Sequence, residues 1–248
     1  MAGVMVVSGA SRGIGAAVAR LAAARGYAIC VNYAQSREAA ERLVGEIARG
    51  GGKAVAVRAD VSRPEEAERL FAETDRALGR VSVLVNNAGI IGRQCRVEAI
   101  DQRLLEQLFA TNVYGYFYCA REAVRRMSTK LGGPGGVIVN ITSAAARHGG
   151  LPEEVHYAAS KGAIDSFTVG LAKEVGREGV RVNAIRPGLI LSDIHQAHGG
   201  NEWIQTLAPQ VPIGRAGTPE EVAEAVLWLA SDAASYTLGA IVDVTGGR

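Results

Sequence analysis

Short runs rich in valine and isoleucine recur seven times along the chain: VMVVS, AICVNY, AVAVRA, VLVNNA, GVIVNIT, VRVNAI and AIVDVT. Each is apolar on consecutive positions rather than alternate ones, the pattern of a strand covered on both faces. Between them lie stretches whose apolar residues follow helical spacing, among them REAAERLVGEIA, PEEAERLFAETDRAL and PEEVAEAVLWLAS. Pro64 and Pro219 fit the first helical position, each following a Ser or Thr cap region and leading into acids. A fixed φ and negative charge both suit a helix N-terminus. Parallel strands need crossover connections, so this alternation specifies an α/β fold: a doubly wound parallel sheet of about seven strands with helices on both faces. Ligand sites in such a sheet lie outside the carboxyl ends of the strands.

The 248 residues suit one large domain spanning 1–248, enough to bury a substantial core. RGGGK and LGGPGG read as turns between a helix and the next strand, not as linkers. Acids and bases are interspersed and the net charge is +2, so neither nucleic acid nor an anionic membrane surface is an expected partner. Cys30, Cys95 and Cys119 are odd in number and form no CxxC; buried thiols in a reducing compartment are expected, not a disulfide framework. MAGVMVVSGA lacks a basic segment before its apolar run, and no run is long enough to span a bilayer. The cytoplasm is therefore the expected location.

Two motifs carry chemistry. SGASRGIG, Ser8 to Gly15, follows the first apolar run and leads into AAVARLAAARG, a strand–turn–helix. Gly9, Gly13 and Gly15 let the backbone turn sharply, approach a pyrophosphate and pack helix on strand, with phosphates at the helix N-terminus beside Ser11, Arg12 and Ile14. The spacing is GxxxGxG, and its other meaning is a tight turn. Farther on, Tyr157 and Lys161 stand four residues apart in HYAASKGAIDSF. On a helix that spacing shares one face. A neighbouring ammonium favours the ionised phenol, so a Tyr157 pKa below the ordinary value near 10 is expected. Ser143, at the end of VIVNIT, offers a hydroxyl to the same reacting oxygen. A lone YxxxK more often means an exposed helix pair.

Together these residues resemble the short-chain dehydrogenase/reductase family, in its compact branch. The match runs through SGASRGIG, NNAG at Asn86 to Gly89, Asn112, Ser143, YAASK and RPG at Arg186 to Gly188. Ser8 stands where the family usually has Thr, and the gap from Ser143 to Tyr157 is one residue longer than in many members. The resemblance implies a Rossmann-type domain, a nicotinamide cofactor, and a catalytic set of Asn112, Ser143, Tyr157 and Lys161. It implies hydride transfer between that cofactor and a ketone, aldehyde or alcohol, with Tyr157 exchanging the proton and Ser143 orienting the carbonyl. Lys161 then lowers the tyrosine pKa and binds the ribose, and Asn112 holds a water. Asp60 and Val61, Asn86, Ala88 and Gly89, and Pro187, Gly188, Ile190 and Ser192 match cofactor-contacting segments after the third, fourth and sixth strands.

Cofactor choice turns on the end of the second strand, where a carboxylate would bind the ribose 2′-hydroxyl. Here Asn32 and Tyr33 stand in its place, so nothing repels a 2′-phosphate. Arg12 and Arg37 offer guanidinium groups to it, or lie on solvated surface. NADP(H) is preferred on this reading, with NAD(H) possible. His156 adjoins Tyr157 but turns about 100° away along the helix. His195 and His198 lack the acids or cysteines of a metal site, and no metal is expected. Residues near 93–96, 144–152 and 192–212, among them Arg93, Gln94, Arg147, Leu151, Ile194, His195 and Trp203, should wall the substrate pocket without naming the substrate. A non-catalytic protein that binds or senses NADP(H) on the same fold is the alternative. Apolar faces on VEAIDQRLLEQLFATNVYGYFYCAREAVRRM, on the YAASK helix and on the AIVDVTGG edge suggest self-association. The family resemblance makes a homotetramer the expected state, a dimer next.

Overall fold

A computed structural model of the chain describes residues 3–192 and 200–248. The strands are β1 (Val4–Val7), β2 (Ala28–Tyr33), β3 (Ala54–Arg58), β4 (Val83–Asn86), β5 (Gly136–Ile141), β6 (Val180–Pro187) and β7 (Ile241–Val244). The helices are α1 (Gly13–Ala24), α2 (Arg37–Arg49), α3 (Pro64–Leu78), α4 (Gln102–Phe109), α5 (Gly115–Met127), α6 (Ala145–His148), α7 (Val155–Val175), α8 (Gly200–Leu207) and α9 (Pro219–Ala230). A π-helical turn, Ala110–Tyr114, joins α4 to α5.

All pairings are parallel, and the spatial order is β3-β2-β1-β4-β5-β6-β7. The chain winds outward from β1 in one direction, then returns to β4 and winds the other way, which opens a crevice where the order reverses. Successive strand residues feed opposite faces. Met5, Val7, Ile29, Val31, Val139 and Ile185 pack against α1, α2 and α9. Val4, Val6, Ala28, Cys30, Ile138 and Val182 pack against α3, α5 and α7. Each fully buried aliphatic side chain contributes roughly 1.5–3 kcal/mol, and coverage on both sides explains the consecutive apolar runs.

Pro64 and Pro219 do begin their helices. Thr218 and Glu221 form a reciprocal capping box, but α3 departs from the expected pattern. Arg63, whose side chain carries no acceptor, occupies its cap position without a side-chain bond, and Ser62 Oγ donates to Asp60 Oδ1 at 2.7 Å. A small cluster of Leu189, Ile204, Ala208, Val211 and Ala216, with Trp203 against it, covers the exit from β6. Among the described residues, no helix is long and apolar enough to cross a membrane, and all three cysteines are free and buried.

Candidate active site

Two adjoining depressions open at the carboxyl ends of the strands. The first, ≈ 1480 Å³ with its mouth, runs across the point where strand order reverses. Gly9, Ser11, Arg12, Gly13 and Ile14 line it, with Asn32, Tyr33, Asp60, Val61, Ala88, Gly89 and Ser192. Gly9 and Gly13 hold left-handed backbone, with φ of 62° and 55°. Gly15 lies beneath: a Cβ there would stand 2.5 Å from Asn87 Nδ2 and 2.8 Å from the Gly9 carbonyl, so only glycine lets α1 sit this close to β4. No side chain caps the N-terminus of α1 and no acid occupies its first turn. Its positive end faces the cleft, as an anion site requires.

A hydrogen-bonded frame holds this turn. Ser8 Oγ accepts from the Asn87 and Ala88 N–H groups at 2.9 and 3.0 Å. Asn87 Nδ2 donates to the Ser8 and Gly9 carbonyls at 3.0 and 3.1 Å. Asn32 lines the cleft, and its side chain is engaged in the frame. Its Oδ1 accepts from Gly9 N–H at 3.1 Å, and its Nδ2 donates to the Val57 and Ala59 carbonyls. The amide therefore ties the glycine turn to the end of β3. Asn86 is turned away: its Nδ2 donates to Asn140 Oδ1 at 3.0 Å inside the sheet, and Asn87, one residue on, borders the cleft. Period-two alternation decides this, since adjacent strand residues face opposite sides. Arg37, first residue of α2, is exposed, pairs with Glu41 at 2.7 Å and stands outside the cleft lining. Arg12 forms no ion pair among the described residues and lines the cleft.

The second depression, ≈ 850 Å³ with its mouth, brings Ser143, Tyr157 and Lys161 together with Ile91, Leu151, Glu154, Pro187, Gly188, Ile190 and Ser192. α7 carries Tyr157 and Lys161 on one face, and β5 delivers Ser143 just past its carboxyl end. Lys161 Nζ donates to the Ile141 carbonyl at 3.0 Å and to Tyr116 Oη at 3.3 Å. It lies 5.9 Å from the Tyr157 ring centroid. Burial pulls the Lys161 pKa down to about 8. Burial pushes the Tyr157 phenol up to about 12, a rise the Ser143 hydrogen bond opposes and the charge of Glu154 adds to. The expected direction is thus reversed: desolvation of the phenolate outweighs the hydrogen bond from Ser143.

Asn112 does not reach either depression. Its Oδ1 accepts from Ile90 N–H at 2.9 Å, and its Nδ2 donates to the Ile90 carbonyl and Ser160 Oγ at 2.8 and 3.0 Å. Both side-chain donors are engaged, so Asn112 braces the strand-to-loop segment after Gly89, from a π-helical turn of the kind frequent at functional sites. Leu151 lines the cavity as expected. Arg93 and Arg147 do not: Arg147 pairs with Asp243 at 2.8 Å, and Arg93 lies 3.7 Å from Asp101. Gln94 supports Glu154 from behind. His156 is buried and stands outside the cavity lining. Ile194, His195 and His198 lie outside the described residues, among which no metal-binding cluster occurs.

Residues 9–248 match the family described as enoyl-(acyl carrier protein) reductase. The chain is 45% identical over 245 residues to an oxidoreductase of Escherichia coli, covering 99% of each chain. It is 40% identical to the 3-oxoacyl-[acyl-carrier-protein] reductase of Synechocystis over 245 residues, 98% of this chain and 96% of that one. A short-chain dehydrogenase/reductase of Serratia marcescens superposes with a TM-score of 0.91 at 32% identity, over 99% of this chain and 97% of that one.

The chain belongs to the short-chain dehydrogenase/reductases. It is an oxidoreductase that uses a nicotinamide dinucleotide, and the Rossmann-type sheet is the family's. The cleft of this oxidoreductase suits such a cofactor on its own evidence: two left-handed glycines, a Gly15 whose Cβ would collide with backbone, and an uncapped helix N-terminus. Sequence reasoning missed Asn87, Tyr116 and Glu154. Asn87 was legible as the second Asn of NNAG, had strand alternation been applied; Tyr116 and Glu154 carried no motif.

Proposed function

We propose that the enzyme interconverts a ketone or aldehyde and an alcohol, using NADP(H), with Tyr157 as the proton donor and acceptor. The observation that carries this reading is the convergence of Ser143, Tyr157 and Lys161 in one apolar-walled cavity that adjoins the glycine-turn cleft. The dinucleotide supplies the hydride. Ser143 orients the carbonyl oxygen, and Tyr157, protonated at neutral pH, gives its proton to the developing alkoxide. General acid catalysis of this kind is worth roughly 10²–10⁴ in rate. Lys161, anchored by Ile141 and Tyr116, places positive charge beside the phenol and so opposes the effect of burial as the proton leaves. Asn112 keeps the segment from Ile90 in place.

The phosphates are held by the turn from Gly9 to Gly15 and the start of α1. The preference for a 2′-phosphate rests on Arg12 and on Tyr33 standing where a carboxylate would repel it. Asp60 and Val61, Ala88 and Gly89, and the stretch from Pro187 to Ser192 complete the contacts. The intact Ser–Tyr–Lys set disfavours a protein that only senses the cofactor. Oxidation of NADPH across a panel of ketones and aldehydes tests the reading, and absence of turnover with cofactor demonstrably bound would overturn it.

A single domain spanning residues 1–248, assembled as a homotetramer in the cytoplasm, completes the proposal, with a dimer the next state. Its support is exposed apolar surface: Tyr114 and Phe117 beside α7, then Trp228, Tyr236 and Leu238 near the β7 edge. Phe117 stacks on Phe167 of α7 at 4.1 Å between centroids, which extends one apolar face across both helices. A monomer by light scattering at micromolar concentration would refute self-association.

A further inference from the structure

Glu154 immediately precedes α7, three residues before Tyr157, and it lines the same cavity as Ser143 and Tyr157. It is only 4% exposed. A carboxylate buried to this degree is normally paired with a cation, because desolvation of the charge is costly. Here no Lys or Arg forms an ion pair with it among the described residues. Gln94 Nε2 donates to Oε1 at 2.9 Å, and Leu151 N–H approaches Oε2 at a long 3.4 Å. Both contacts are donors, as a carboxylate requires, and Oε2 retains acceptor capacity. Neighbouring His156 does not supply the missing charge, since burial holds its pKa below the ordinary value.

Helix capping does not account for the residue either. Glu154 occupies the cap position of α7, yet its side chain makes no capping bond. The backbone turns it inward instead. Glu153 adopts a left-handed φ of 69°, and its carbonyl accepts from Cys95 N–H at 3.0 Å. A left-handed non-glycine residue of this kind is held against local preference by its surroundings. Ile91, Leu151, Leu189 and Ile190 give the cavity wall its apolar part, and beyond Ser143, Tyr157 and Lys161 its polar lining includes His148, Ser192 and Arg248.

We propose that Glu154 is a specificity-determining residue whose carboxylate receives a hydrogen-bond donor, a hydroxyl or an ammonium, carried by the substrate near its reacting carbonyl. The inference rests on the ketone-reductase reading above and deepens it: the substrate class is a hydroxy- or amino-substituted carbonyl compound. Carbonyl compounds with a carboxylate at the same place are repelled.

The test is a series of ketones of one size bearing methyl, hydroxyl, ammonium or carboxylate at a single carbon, with that carbon placed one to four bonds from the carbonyl. With NADPH and the unmodified enzyme, a hydroxyl or ammonium member should exceed its methyl counterpart in kcat/KM by about tenfold or more, and the carboxylate member should fall below it. The hydroxyl and ammonium arms tell which donor is preferred. In E154Q the donor-to-methyl ratio should collapse toward one for the ammonium arm and shrink for the hydroxyl arm. A purely structural role would lower every substrate alike and leave that ratio unchanged. Should E154Q fail to fold, the ratio in the unmodified enzyme still decides. Turnover of all members with no donor preference, or a preference for the carboxylate, overturns the role of Glu154 and leaves the reductase reading standing. No turnover of any member with cofactor bound overturns both.

Discussion

Around the glycine turn, most of the hydrogen bonds that shape the cleft end on main-chain groups: Ser8, Asn32 and Asn87 each hold backbone N–H or C=O groups of neighbouring strands. Around Tyr157 the arrangement is different. That cavity is walled by side chains delivered from separate segments after β4, β5 and β6 and from the start of α7. A backbone-built cleft tolerates many side-chain changes but not a displaced main chain. A side-chain-built cavity can be retuned one residue at a time while the fold stays as it is. One half therefore suits a ligand common to a whole family, and the other suits a substrate that differs between members.

The largest effect expected from this contrast comes from a single oxygen. Tyr157→Phe leaves the ring and the fold, so cofactor affinity, measured by fluorescence titration, should stay within a few-fold while turnover falls on the order of 10² or more. Ketone reduction at an undiminished rate, with chemistry shown to be the slow step, would remove Tyr157 from its role. The pH dependence sharpens the same point. Since burial pushes the phenol to about 12, alcohol oxidation should climb steadily through the alkaline range. A plateau already reached at neutral pH would show that a nearby cation outweighs burial in the working enzyme.

Gly15→Ala is the counterpart on the other side. The added methyl would meet Asn87 Nδ2 at 2.5 Å, the Gly9 carbonyl at 2.8 Å and Ala10 Cα at 2.9 Å, and two of those three atoms are main chain or carry it. Overpacking of this kind costs about 1–3 kcal/mol, visible as a lower midpoint in urea unfolding. Cofactor affinity should drop with it, while Ser143, Tyr157 and Lys161 stay in place. Unchanged stability and affinity would mean that the turn yields more readily than its hydrogen bonds imply.

Much of this was open to reading from the residues, and the reason differs by region. The sheet was legible because strands covered on both faces must be apolar at every position, and the glycine turn because left-handed backbone and close approach leave glycine little competition. Side-chain direction was harder. Asn32, Asn86 and Asn112 each fell at a place that resembles a ligand contact, yet their amides also bond main-chain groups, with Asn140 a partner of Asn86 and Ser160 a partner of Asn112. Nothing in a motif tells an amide that braces a loop from one that faces a ligand. Glu154 was invisible for the opposite reason: its burial depends on a left-handed Glu153 and on Gln94 from a distant loop, neither of which leaves a local signature.

Lys161 stands on the border between the two regions and gives the third test. Burial lowers its pKa from 10.5 to about 8. Below pH 8 the ammonium is charged in both the folded and unfolded chain, and the folded state bears the full desolvation penalty. Between about 8 and 10.5 the unfolded chain binds more protons at this site, so the Lys161 contribution to stability rises with pH, by roughly 2 kcal/mol up to pH 10. Tyr157 runs the other way, but only above pH 10, because its folded value lies above the unfolded one. The buried Cys30 and Cys119 thiols, pushed up to about 12, lower stability over the same range in both proteins. Urea unfolding at pH 7.5 and 9.5 should therefore show a more favourable change with pH in the unmodified protein than in Lys161→Met. Equal slopes in the two proteins would place the titration elsewhere.

The smallest effect is expected where the backbone-built cleft depends on side chains after all, at the ribose end. Arg12 borders the cleft without an ion pair among the described residues, and Tyr33 closes β2 where a carboxylate would exclude a 2′-phosphate. NADPH should bind more tightly than NADH by roughly tenfold, equivalent to about 1.4 kcal/mol. Arg12→Ala should weaken NADPH and leave NADH nearly unaffected, because the guanidinium acts on the phosphate alone. Tyr33→Asp should erase or invert the preference by placing like charge against that phosphate. Arg37→Ala should do neither, since Arg37 is engaged with Glu41 on the exposed start of α2. Equal dissociation constants for both cofactors in the unmodified protein would overturn the assignment of NADP(H). A selective loss in Arg37→Ala would show that the Glu41 pair opens to let Arg37 reach the phosphate.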